Sequence, residues 1–421
     1  MPAADERAVF ARIAWRIMPV LLLSYIVNFL DRINVGFAAL TMNQAIGLTA
    51  AQFGLGAGIL FIGYCVFEIP SNVALYHVGA RRWIARIMIT WGLVSAGAVL
   101  VTSANGFYAQ RLLLGIAEAG FFPGVTYYLA RWFPAEYRAR ILAWLLLGVP
   151  ASAMIGSPVS GMLLGLDGTW GLAGWQWLFL MEGLPAVILG FVVLRVLPDT
   201  PEDATWLSPA ERAMVASRVQ GERRERESHG FWSSLRDPRV LLLGAVQCGF
   251  IIGAYGVGIF LPQIIKQQHY SNAVVGWVTA LPNLAACVGT IAWAALVDRR
   301  GGKTFHLALA CVASAAGLVL AVWTSSFVVA MLGMTVAVVG TNAARAIFWT
   351  IPTAFLTGLG AAGGLALINS IGTLGGFVGP SVMGWLKDET GSFSAGLVAL
   401  SGFLVLSAVL VACLKLLMRR I

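Results

Sequence analysis

Long apolar runs set the rhythm of this chain. They extend for about 20 residues and lack the strict alternation of a barrel strand. The pattern predicts twelve membrane-crossing helices, at about 17–40, 53–75, 83–103, 107–130, 139–165, 177–197, 239–262, 272–297, 305–325, 327–351, 361–386 and 393–417. One polar stretch, 198–238, exceeds every other loop. It splits the chain into six helices within 1–197 and six within 239–421. Inside it, Ser208 and Glu211 have the spacing of a capping box and predict a surface helix.

Composition agrees with the pattern. The chain is 59% hydrophobic and 11% charged, with a mean hydropathy of +0.82. Soluble domains carry about 25% charged residues, so the class is an all-α membrane protein. The basic flank of the first run (Arg7, Arg12, Arg16) suggests a signal peptide. However, Asp31-Arg32 interrupts that run and no small-residue cleavage site follows, so a retained helix is expected. The net charge of +9 reflects topology rather than a nucleic-acid partner. Of the 28 Lys and Arg residues, 23 fall at the two ends of the chain and in alternate loops, while Lys266 and Lys387 alone occupy the opposite loops. This bias places both termini in the cytoplasm. Trp15, Trp83, Trp132, Trp177 and Trp277 lie near span ends, where interfacial anchors are expected. Five scattered Cys predict no disulfide framework. No Cys/His cluster has metal spacing and no nucleophile–His–acid set can be assembled, so neither an enzyme nor a cofactor is expected.

The candidate chemistry lies in ionisable residues within spans. Each costs about 2.5–3.5 kcal/mol at a helix centre and needs a partner. Span 1 holds Asp31 and Arg32; span 4 holds Arg111 and Glu118. The last two are seven residues apart, on one helix face and about 10 Å apart along the axis. If spans 1 and 4 face each other, the four charges form a neutral quartet. A guanidinium binds a carboxylate through two parallel hydrogen bonds. Arg32 and Arg111 are therefore candidate anion ligands, occupied by Asp31 and Glu118 when substrate is absent. A proton on either acid releases its arginine, which couples proton to anion. The other reading is a static pair of salt bridges, although buried bridges stabilise poorly. Three further charges are expected elsewhere. Glu68 serves as an inner gate or pairs with loop basics. Arg345 snorkels at the inner end of span 10. Glu182 is interfacial at the outer end of span 6. The pairs Gly249/Gly253 and Gly375/Gly379 predict close helix contacts.

An internal repeat carries a resemblance. "NVALYHVGARR" (72–82) and "AALVDRRGGKT" (294–304) place Gly79 and Gly301 222 residues apart, about half the chain. Both turns resemble the major facilitator superfamily signature G-x-x-x-D-R-x-G-R-R. The second copy keeps Asp298, Arg299, Gly301 and Lys303. The first carries Asn72, Tyr76 and His77 where Gly, Asp and Arg stand in the signature. Four further strings, "YCVFEIPSN" (64–72), "RLLLGIAEAGFFPG" (111–124), "GWQWLFLMEGLPA" (174–186) and "NSIGTLGGFVGPSVMGWLKDETGS" (369–392), resemble the anion:cation symporter family of organic-acid permeases. The resemblance covers essentially the whole chain.

It implies two six-helix halves that work by alternating access in the bacterial inner membrane. The implied activity is uptake of a small organic anion with protons as coupling ion, by a monomer. The best-matched substrate is a hydroxy-dicarboxylate such as tartrate, or a related sugar acid. The family's positions imply proton coupling at Asp31 and Glu118 and anion binding at Arg32 and Arg111. They also imply substrate contact at Tyr64 and Asn369, where helix packing is the open alternative. Arg81 and Arg82, with Asp298 and Arg299, would form the inner-face latch. An exchanger is one rival, and a membrane sensor acting through 198–238 is another. The superfamily's helix-5 antiporter motif has a strict G-P pair. "GSPVSG" (156–161) puts Ser157 between the two, which favours symport.

Overall fold

Among the described residues there are twelve candidate membrane spans, each long and apolar enough to cross a bilayer. They belong to a computed structural model that describes residues 3–225, 237–352 and 358–419; residues 226–236 of the expected linker lie outside the described set. The helices in chain order are α1 (Ala3–Ile46), α2 (Ala50–Val78), α3 (Ala80–Ala96), α4 (Ala104–Glu118), α5 (Phe121–Ala130), α6 (Ala135–Leu163) and α7 (Gly174–Val196). A surface helix, α8 (Pro209–Glu225), follows. Then come α9 (Pro238–Lys266), α10 (Asn272–Arg300), α11 (Lys303–Trp323), α12 (Phe327–Phe348), α13 (Gly358–Thr373), α14 (Gly375–Thr390) and α15 (Ser394–Arg419).

α1 starts well before its predicted span. Its polar first turns dock on α8, through Arg12–Glu211 at 3.1 Å and Arg218–Glu6 at 2.8 Å. The capping box at the start of α8 forms as expected. The Ser208 N–H donates to Glu211 Oε2 (2.8 Å) and the Glu211 N–H to Ser208 Oγ (3.3 Å). The Ser208 backbone bond holds the Glu211 carboxyl below its usual range.

Two spans are broken. Span 4 divides into α4 and α5 at Gly120, whose φ of +84° is left-handed. A side chain there would be strained, and its Cβ would strike Ser71 Oγ. The Ser71 hydroxyl donates to the Ala119 carbonyl at 2.6 Å, satisfying an acceptor that the break exposes. Glu118 thereby becomes the last residue of α4. Span 11 divides into α13 and α14 at Leu374, inside the Gly-rich run. Gly375 and Gly379 there meet the α9 carbonyls of Cys248 and Ile252, while Gly249 and Gly253 pack on α15. These are the expected close contacts.

The spans close against each other on one face, opposite that of the termini. α2 packs along α14, and α6 along α10. A Cβ on Gly58 would lie 2.8 Å from the Phe377 carbonyl oxygen, and one on Gly161 2.6 Å from that of Asn272. The Asp388 carboxylate adds a polar clasp. It accepts from the N–H groups of Ala50 (3.0 Å) and Ala51 (2.8 Å), two orphan donors at the start of α2. Asp388→Ala removes two charge-assisted bonds. It is expected to raise the population open on this face on the order of tenfold. An impermeant maleimide added from that face measures it, with a cysteine in a cysteine-free background at Ile33, which lines a cavity between α1, α6 and α9. An unchanged labelling rate would refute the clasp.

Two expected tryptophan anchors are corrected. Trp132 and Trp177 are buried in protein. Trp132 stacks on Trp206 at 6.1 Å, and Trp177 Nε1 donates to the Thr169 carbonyl (3.0 Å). The Trp132 ring stacks and the Trp177 N–H bonds inside the fold rather than at a lipid headgroup. Trp15 and Trp277 do stand exposed.

Candidate functional site

Consecutive residues on a helix point about 100° apart, so Asp31 and Arg32 look to different sides of α1. Arg32 turns toward a central, partly open cavity. Its polar lining includes Asn28, Arg32, Tyr64, Gln247, Arg345 and Asn369. They come from α1, α2, α9, α12 and α13, so the cavity lies between the two halves of the chain.

Arg32 is the most engaged of these residues. Its Nε donates to Glu118 Oε2 at 2.7 Å, and only 8% of its surface is exposed. Its guanidinium carbon lies 4.8 Å from the Tyr64 ring centroid and 5.4 Å from that of Phe29. Aromatic faces favour a cation at such distances. Glu118 is fully buried, and its Oε1 has no hydrogen-bond partner among the described residues. It stands at the negative end of α4, where an ionised carboxylate is opposed by the helix dipole. Arg32 is the cation that compensates it.

Asp31 faces the other way. Its Oδ1 accepts from Ser95 Oγ (2.7 Å) and Asn34 Nδ2 (3.2 Å), and its Oδ2 from Trp91 Nε1 (2.9 Å). All three donors are neutral. Asp31 therefore occupies neither arginine, contrary to expectation. Arg111 is fully buried, yet among the described residues no carboxylate lies within 4.0 Å of it, and its Nε and Nη1 have no partner. Nor does it line the cavity. The quartet needs two corrections. One of its two ion pairs exists, and spans 1 and 4 are not packed face to face. α1 packs on α6, α7 and α9, whereas α4 packs on α2 and α3; the reach of the Arg32 side chain makes the link.

Three other expectations change. Glu68 does not pair with loop basics. It is buried, and its Oε1 accepts from Asn369 Nδ2 at 2.8 Å, a bond that crosses from α2 to α13. Glu182 is not interfacial. It is buried on α7 and accepts from Ser160 Oγ at 2.7 Å. Arg345 does not snorkel. It lines both the central cavity and a neighbouring one, and its guanidinium carbon lies 6.0 Å from the Phe29 ring centroid. Nothing in a single basic residue near a span end tells inward from outward; the apolar face of α12 around Ala337, Ala344 and Phe348 fixes which way it turns.

The loop motifs sit on the face of the termini. Arg81 meets Asp199, through its backbone N–H (2.9 Å) and its Nε (3.5 Å). The acid lost at Tyr76 is thus replaced from just beyond α7. Arg82, Asp298 and Arg299 are exposed, and among the described residues none has an ion pair. The latch they would make is not closed in this conformation, while the opposite face is.

The Major Facilitator Superfamily model matches residues 21–380 and 246–420. A putative tartrate transporter from Agrobacterium vitis is 48% identical, over 96% of this chain and 91% of the relative. A quinolone resistance transporter from Acinetobacter baumannii is 39% identical, over 94% of this chain and 92% of its own length. Among solved structures, the inward-open xylose transporter XylE from E. coli superposes with a TM-score of 0.77 at 14% identity, covering 94% of this chain and 95% of that one. That likeness concerns the fold alone. The motif resemblance to the organic-acid permeases agrees with these findings. With its twelve spans, its two six-helix halves and a family model that runs nearly end to end, the chain belongs to the Major Facilitator Superfamily and is a multi-pass membrane transporter of a small-molecule substrate.

Proposed function

We propose that this transporter takes up a small organic anion together with protons across the bacterial inner membrane. Both termini and the 198–238 linker face the cytoplasm, and the monomer is the working unit. The favoured substrate is a hydroxy-dicarboxylate such as tartrate or a related sugar acid, the class suggested by the name of the Agrobacterium relative. One observation carries the reading: the Arg32 guanidinium lines the cavity while its Nε is held by Glu118. A substrate carboxylate and an ionised Glu118 compete for that guanidinium. Protonation of Glu118 frees it, so proton and anion bind together. Asp31 is the second proton site. Its Ser95 partner can rotate to accept a hydrogen bond when the carboxyl is protonated. Tyr64 and Asn369 contact substrate from opposite halves. Glu68, Arg81, Arg82, Asp298 and Arg299 gate the inner face, which seals as the outer face opens.

Proteoliposomes loaded at neutral pH test the reading. Labelled tartrate is expected to accumulate when the outside is made acidic and to equilibrate without a gradient. The relative named for quinolone resistance supports a rival, exchange or export. An exchanger would show dependence on a ligand inside the vesicle and none on the proton gradient.

A further inference from the structure

We infer that Arg345 is a second carboxylate-binding residue, so that the substrate is a short diacid held by Arg32 at one end and Arg345 at the other. This rests on the organic-anion reading above and adds a residue and a substrate shape to it.

The two guanidinium groups approach the same ring. Their carbons lie 5.4 Å and 6.0 Å from the Phe29 centroid, and both side chains line the central cavity. They are therefore no more than about 12 Å apart. A four-carbon diacid held bidentately at both ends places its two guanidinium carbons about 12 Å apart when extended, and less when bent. A short diacid can thus bridge them, extended or slightly bent.

The charges differ in a telling way. Arg32 has Glu118 as an internal counter-ion. Arg345 has none: among the described residues no carboxylate lies within 4.0 Å of it. Glu68 lines neither of the cavities that Arg345 faces, and its Oε1 accepts from Asn369. A cation facing a cavity without a partner is a poor structural element, because desolvation is not offset. It is a good ligand for a charge that arrives with the substrate. When Glu118 is protonated, two guanidinium groups face the cavity, which matches a dianion. The arginines come from α1 and α12, so one substrate would tie the two halves together.

Beyond Arg345 lies a second cavity, which shares Phe29, Tyr255 and Arg345 with the first. Thr279, Asn283 and Asn342 line it. These neutral polar groups suit hydroxyls carried near the second carboxylate.

The test compares tartrate with threonate, which has a CH2OH group where tartrate has its second carboxylate. Both are measured by calorimetry and counterflow on the full chain. Wild type is expected to prefer tartrate on the order of 100-fold, since a site built for a charged group rejects the analogue lacking it. Arg345→Gln is expected to collapse that ratio toward one. Arg345→Lys, which keeps the charge without the planar fork, should restore part of it and show that the fold survives. A ratio unchanged in Arg345→Gln, or a wild type that binds threonate as well as tartrate, overturns the inference and leaves the organic-anion reading standing. A wild type that binds neither overturns the inference and removes tartrate as the favoured substrate.

Discussion

Replacing Arg32 with glutamine is expected to weaken tartrate binding by about 30-fold to several thousand-fold, the range for truncating one partner of a buried, hydrogen-bonded charge pair. Two losses combine. The substrate carboxylate loses its bidentate partner in the cavity. Glu118 loses its cation, since Arg32 Nε is 2.7 Å from its Oε2 and no other basic group is within 4.0 Å among the described residues. At the negative end of α4 with no cation, Glu118 is a buried group whose partner has been removed, which is destabilising. The single variant therefore shifts both affinity and its pH dependence. Arg32→Gln/Glu118→Gln separates the two effects. It removes the stranded acid and should melt closer to wild type than Arg32→Gln does, while tartrate affinity stays low. Calorimetry on the purified protein reads the affinity. An unchanged isotherm would take Arg32 out of the substrate site.

How much of this was legible beforehand depends on the kind of signal. The twelve spans follow from run length, because a bilayer admits little else. The cap at Ser208 and Glu211 follows from local spacing, and the glycine contacts from small residues at helical intervals. The partners of Asp31 were hidden. Trp91 and Ser95 are ordinary residues of an apolar helix, and nothing in the sequence marks them as donors until α3 is set beside α1. The Glu68–Asn369 bond was hidden for a similar reason, since its ends are 301 residues apart. The break at Gly120 was hidden because a positive φ leaves no trace in composition; "EAGFF" also reads as continuous helix. Charge balance alone suggested a symmetric quartet. The fold instead gives Glu118 to Arg32, surrounds Asp31 with neutral donors, and leaves Arg111 in the interior of the helix bundle. What the sequence identified was the set of charges; which of them meet is decided by side-chain direction around α1.

The asymmetry of those pairings makes Glu118, rather than Asp31, the acid whose protonation frees an anion site, and this gives the second prediction. Glu118→Gln imitates the protonated carboxyl in shape and hydrogen bonding but cannot release a proton. Arg32 then has no competing charge at any pH. Tartrate affinity is expected to stay near its acid-side value and to lose its dependence on pH. Uptake should uncouple. A one-unit pH gradient supplies about 1.4 kcal/mol per proton, enough for about tenfold accumulation. The variant should fall to no accumulation while still exchanging labelled for unlabelled tartrate. Asp31→Asn offers the contrast. Its oxygen can accept from Trp91 and its amide can donate to Ser95, so the local network survives. Arg32 remains bound to Glu118, so the pH dependence of affinity should persist even if accumulation is lost. Full accumulation by Glu118→Gln would show that the Arg32–Glu118 pair is a fixed brace, and that the proton enters by another group.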